Sequence, residues 1–147
     1  MEETQKTKGH LRRARSIWLF MIAEIIVIIG FASIFYEETP VSDDGAILFT
    51  WILMVMMLVD IGMQLLFYNL FSSKGTVQSA LGGSILIETM AVAIAIYGML
   101  CMVLNTPLKQ TGMLVGIILS FLAMGLAWIL TTNLFSPFEF EDSTPVE

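Results

Sequence analysis

Four long apolar runs separated by short polar joints set the pattern of this chain. They extend from Ser16 to Tyr36, Ala46 to Phe71, Ala80 to Leu104 and about Thr111 to Phe135. Each has roughly 21 to 26 residues, which at about 1.5 Å of rise per residue crosses a hydrocarbon core of about 30 Å with some tilt. The joints EETPVSDDG (37–45), SSKGTVQS (72–79) and NTPLKQ (105–110) carry the proline, glycine and small polar residues of turns. Joints this short require successive helices to run in opposite directions. The pattern predicts an all-α membrane protein, an antiparallel four-helix bundle with helices over about 16–36, 46–71, 80–104 and 111–135. The transmembrane domain then covers 16–135, between a basic segment (1–15) and an acidic tail (136–147). Pro40, Pro107, Pro137 and Pro145 all fall outside the predicted spans, so the interrupted helices of many secondary transporters are not expected.

The first run is longer than the apolar part of a cleaved signal peptide and lacks a small-residue cleavage site, so it reads as a retained helix. Lys6, Lys8, Arg12, Arg13 and Arg15 precede it, and Lys74 lies in the second joint, against Lys109 in the other two. Basic residues in short flanks stay on the cytoplasmic side, which predicts both termini there; the expected location is the plasma membrane. Aromatic placement agrees, with Trp18, Tyr68 and Trp128 near the inner interface and Tyr36 and Trp51 near the outer.

Composition removes several function classes. Apolar residues make up 56% of the chain and charged ones 14%, with a mean hydropathy of +0.82, which points to lipid as the solvent. A net charge of -6 with the cations gathered at one end argues against a nucleic-acid partner. One cysteine, Cys101, and one histidine, His10, exclude an internal disulfide and, within one copy, a Cys/His zinc site or bis-histidine haem. No cofactor is expected. The chain has no HExxH, no GxSxG and no phosphate-binding glycine loop, so an enzyme is not expected either. Met54, Met56 and Met57, and Met99, Cys101 and Met102, are soft groups that suit Cu(I), but methionine is also an adaptable core filler and no histidine joins them, so no metal site is assigned.

The candidate chemistry is a set of acids inside the runs: Glu24, Asp60 and Glu88. Counted from the middle of each span they lie roughly 3, 2 and 6 Å to the cytoplasmic side, one acid on each of three helices. Asp60 shares its helical face with Met56, Met57, Met63, Gln64 and Phe67, and Glu88 shares its face with Ser84, Ala91, Ala95 and Met99. The small residues around Glu88 direct it into the bundle, whereas Phe20 and Ile28 leave the direction of Glu24 open. Helix four carries a stripe of small residues, Gly112, Gly116, Ser120, Ala123, Ala127 and Thr131, which reads as a packing seam.

No Lys, Arg or His lies within a span to neutralise these acids. They either carry protons or bind a cation from solution. A proton- or cation-binding site of Asp60 and Glu88, with Glu24 if its helix is suitably rotated and with Gln64 and Ser84 as orienting groups, is the functional expectation. The competing expectation is an accessory or assembly subunit whose acids hold helices or partner chains together, in a homo-oligomer or a larger membrane complex. Ala23-Glu24-Ile25-Ile26 resembles the first helix of small multidrug transporters, whose membrane glutamate binds protons and cationic drugs in turn. Asp60, Glu88 and the basic segment before helix one depart from that pattern, and membership does not follow.

Overall fold

A computed structural model describes residues 2–34, 44–104 and 107–140, and all of its regular structure is helical. The helices are α1 (Glu2–Ile34), α2 (Asp44–Ser72), α3 (Val77–Val103) and α4 (Lys109–Phe140). All four contain a stretch long and apolar enough to cross a membrane: Arg12–Phe31, Asp44–Ser72, Val77–Val103 and Lys109–Phe138. Tyr36, the first joint up to Asp43, Asn105 and Thr106, and the tail beyond Phe140 lie outside the described residues.

The helices overrun the apolar runs, and local chemistry explains where. The polar segment before Ser16 continues α1 back to Glu2, because its Glu, Gln, Lys, Leu, Arg and Ala are good helix formers and little but Gly9 opposes them. At 33 residues, α1 is about 50 Å long, well beyond a hydrocarbon core. Helix α3 begins at Val77, ahead of the apolar run, because Thr76 caps it: its backbone is extended and its hydroxyl oxygen accepts from the Ser79 N–H at 3.1 Å. Gly75, at φ 61°, makes the reversal just before that cap. Helix α4 continues through Pro137 to Phe140, so this proline sits inside a helix and not beyond it. Proline cannot donate to the carbonyl of Asn133 four residues earlier, and the Ser136 hydroxyl donates to that oxygen instead, at 3.0 Å.

Helices α3 and α4 form the spine. Each touches the other three helices, while α1 and α2 share no contact among the described residues and flank the spine separately. The contacts fix the directions. Cys101 meets Gly112 and Gly83 meets Leu134, so α3 and α4 are antiparallel; Gln64 meets Ile87 and Phe71 meets Gly83, so α2 and α3 are too. Trp18 reaches Met124, and Ile28 and Ile29 border the same small gap as Met113 and Ile117, which sets α1 antiparallel to α4.

The spine is a close backbone contact. A methyl group on Gly116 would lie 2.6 Å from the Gly98 Cα, and one on Gly112 would lie 2.7 Å from the Cys101 Cβ. Such separations need glycine, and they allow dispersion contacts along the whole seam. Helix α1 is held more loosely, through Ala14, Trp18 and Ile25. The Trp18 indole N–H donates to the Met124 carbonyl at 3.1 Å, its ring lies 4.8 Å from that of Trp128, and the Arg15 guanidinium sits 5.5 Å above Trp128. Large apolar side chains such as Leu19, Val27, Leu58, Leu114 and Leu122 face outward, while Thr50, Asp60, Gln64, Glu88, Ser120 and Thr131 are buried. Apolar outside with polar groups inside is the arrangement of a protein solvated by lipid.

Candidate functional site

Helix α2 buries Thr50, Leu53, Met57, Asp60 and Gln64, spaced three or four residues apart along one face. This periodicity turns Asp60 and Gln64 inward together, one turn apart. Of the other residues expected on this face, Met57 is buried, Met63 and Phe67 are half-buried and Met56 is exposed. Asp60 retains 6% of its surface, and Gln64 and Glu88 retain none.

Gln64 joins three helices. Its amide nitrogen donates to the Ile87 carbonyl of α3 at 2.9 Å and to the Ala123 carbonyl of α4 at 3.3 Å. Glu88 follows Ile87 in the chain, and its Oε1 accepts from the Thr131 hydroxyl of α4 at 3.4 Å, a long bond. Among the described residues, three buried side-chain oxygens then have no hydrogen-bond partner: Asp60 Oδ2, Gln64 Oε1 and Glu88 Oε2. Two belong to carboxyls and the third to the amide between them in sequence. An unpartnered buried acceptor costs on the order of 1–3 kcal/mol.

Ser84 is buried on the Glu88 face of α3, but its hydroxyl donates to the Leu81 carbonyl at 2.8 Å, a bond within its own helix. It lines the face without binding either acid. Ala91 and Ala95 are buried beyond Glu88 on the same side, with Met99 half-buried. Tyr97, on α3, lies within electrostatic range of Asp60.

Glu24 is placed differently. Ile25 is fully buried and occupies the inward position on α1, which leaves Glu24 half-buried beside the packed stripe. Because α1 packs on the spine and not on α2, the fold does not carry Glu24 to Asp60. Among the described residues no group of three His, Cys, Asp or Glu side chains could hold a metal ion. The two buried acids among them are Asp60, on α2, and Glu88, on α3.

The residues of the predicted α4 stripe Gly112, Gly116, Ser120, Ala123 and Ala127 are all buried. Gly112 and Gly116 contact Cys101 and Gly98 of α3, and also approach Thr50 and Met57 of α2. The stripe therefore borders the α2–α3–α4 junction, and its backbone supplies the Ala123 carbonyl that Gln64 uses. Thr131, which continues the stripe, is the hydroxyl on Glu88, a role invisible without the α3–α4 register. Tyr97 likewise carries no signal in the sequence, since its proximity to Asp60 depends on how α2 and α3 are aligned. No protein family, curated protein or solved structure matches this chain, and its functional reading rests on its own residues.

Proposed function

We propose that this protein is an integral membrane protein, both ends cytoplasmic, that handles protons or small cations through Asp60 and Glu88. The observation that carries the reading is the trio of buried, unpartnered oxygens, Asp60 Oδ2, Gln64 Oε1 and Glu88 Oε2. Oxygen donors of this kind suit a hard cation, and a carboxyl that takes a proton becomes a donor able to satisfy one of the other two. Proton and cation then compete for one interior, and occupancy by either reduces affinity for the other. Gln64 orients the site, since its amide nitrogen is engaged by two carbonyls and its oxygen is left facing the interior.

The test is calorimetry of the purified protein with alkali and alkaline-earth cations from about pH 5 to about pH 9, for the wild type, Asp60→Asn and Glu88→Gln. Binding should strengthen as pH rises, by up to about tenfold per unit where one proton is displaced, and should vanish in both variants. Absence of binding at every pH, with the variants as stable as wild type, rules this reading out.

One observation favours a second reading, a non-catalytic accessory or assembly subunit. Glu24 is half-buried on the same side of α1 as exposed Phe20, Ala23, Val27 and Phe31. An acid open to lipid is costly, and a neighbouring helix that donates a hydrogen bond to it removes the cost. Under this reading Glu24→Leu abolishes co-purification with a partner chain or a second copy and leaves cation binding unchanged.

A further inference from the structure

At the end of the bundle where α2 turns into α3, a cavity of about 520 Å³ opens beside the last turns of α4. Its lining combines apolar Phe71, Leu134 and Phe138 with polar Ser72, Thr76 and Asn133. Those three polar residues are exposed, so they reach the surface at the cavity. The joint that frames it, SSKGTVQS, contains one cation and no acid. That cation, Lys74, holds its ammonium 4.6 Å above the ring of Phe71, which is also a wall of the cavity. Trp18, Trp128 and Arg15 cluster toward the same end of the bundle, the residue types that gather near a membrane interface.

We propose that this cavity binds one anionic phospholipid. Lys74 supplies the charge for the phosphate, the Ser72 and Thr76 hydroxyls and the Asn133 amide supply polar contacts to the headgroup, and Phe71, Leu134 and Phe138 receive the start of the acyl chains. Each part selects something. A free phosphate has no use for the aromatic wall, and a neutral zwitterionic lipid gains less from the single cation beside it. The site is separate from the carboxylate interior, and it stands or falls independently of the function proposed above.

Native mass spectrometry of the full chain in a neutral detergent tests it, with phosphatidylglycerol, phosphatidylcholine and inorganic phosphate added in turn. One phosphatidylglycerol should be retained at about fivefold higher occupancy than phosphatidylcholine, the difference expected of one lysine near the headgroups. Lys74→Gln should bring the two lipids to the same occupancy. Ser72→Trp, a change at an exposed position that fills the cavity, should remove both, and Arg12→Gln should leave the preference in place. Equal occupancy of the two lipids in the wild type overturns the assignment, as does a preference that survives Lys74→Gln. Displacement of the lipid by inorganic phosphate also overturns it, because the site would then recognise the anion alone. Lys74 is exposed and meets Phe71 only over the face of its ring, so its variant remains informative if the tryptophan variant does not fold.

Discussion

Gln64 supplies the interior with a donor group that two carbonyls use up and an acceptor that nothing uses. A leucine of similar size at this position would keep the packing and remove both, so Gln64→Leu isolates the polar contribution. Hydrogen bonds between membrane helices contribute about 0.6 kcal/mol on average and seldom above about 1.7, and removal of the unpartnered oxygen offsets part of that, so the loss in an SDS unfolding titration should be at most about 1 kcal/mol. The two carbonyls belong to helical backbone and keep their own partners, which is why the loss is not larger. Thr131→Val should cost less, about 0.5 kcal/mol, because the bond it removes is long at 3.4 Å. A loss for Thr131→Val that exceeded the loss for Gln64→Leu would reverse the ranking of the two residues. Both positions were visible in the sequence, Gln64 as a polar neighbour of Asp60 and Thr131 as the last of a small-residue stripe. Their partners were not, since a bond between helices depends on register, and nothing in the spacing along one helix specifies which residue of another stands opposite.

Among the elements, α4 shows how a seam and a lipid face differ on one helix. Gly116 lies against the Gly98 backbone, whereas Gly125 has nothing within 4 Å of where a side chain would begin. Gly116→Ala must push α3 and α4 apart and should lower stability by several kcal/mol or prevent assembly, which overpacking against backbone commonly does. Gly125→Ala should be neutral or slightly stabilising, because alanine is the better helix former. Equal effects of the two substitutions in the same unfolding assay would show that the spine is not in close contact. Gly75→Ala belongs to the same scale: at φ 61° a side chain adds about 1–2 kcal/mol of strain, and the melting temperature should fall accordingly. The number of helices and the approximate apolar limits of each were legible because hydropathy reports directly on lipid exposure. Their ends were less so. Pro137 reads as a breaker until Ser136 is seen to satisfy the orphaned carbonyl, and Lys and Arg mark the end of an apolar run without ending a helix.

For the whole molecule, the single thiol is a probe of assembly. Cys101 is fully buried against Gly112, so maleimide should leave the folded wild type unlabelled and react after denaturation. In a Cys101→Ala background, Ser73→Cys and Thr111→Cys place thiols at exposed positions on opposite ends of the bundle. If both termini are cytoplasmic, as proposed, an impermeant maleimide applied to intact cells should label the second and not the first; the reverse pattern would invert the orientation.

The absence of an α1–α2 contact among the described residues also bears on the order in which the bundle is put together. Synthesis delivers α1 and α2 to the bilayer first, and neither offers the other a surface, so they wait as separate helices. Asp60 and Gln64 enter lipid during that interval with none of the α3 and α4 groups that later enclose them. Assembly should therefore start when α3 follows, bringing the Ile87 carbonyl and a face for each earlier helix, and α4 should close it with its glycines against Gly98 and Cys101. Among the described residues the first two helices are the one pair of neighbours in sequence that is not a pair in space, which makes the third helix the expected starting point of the fold.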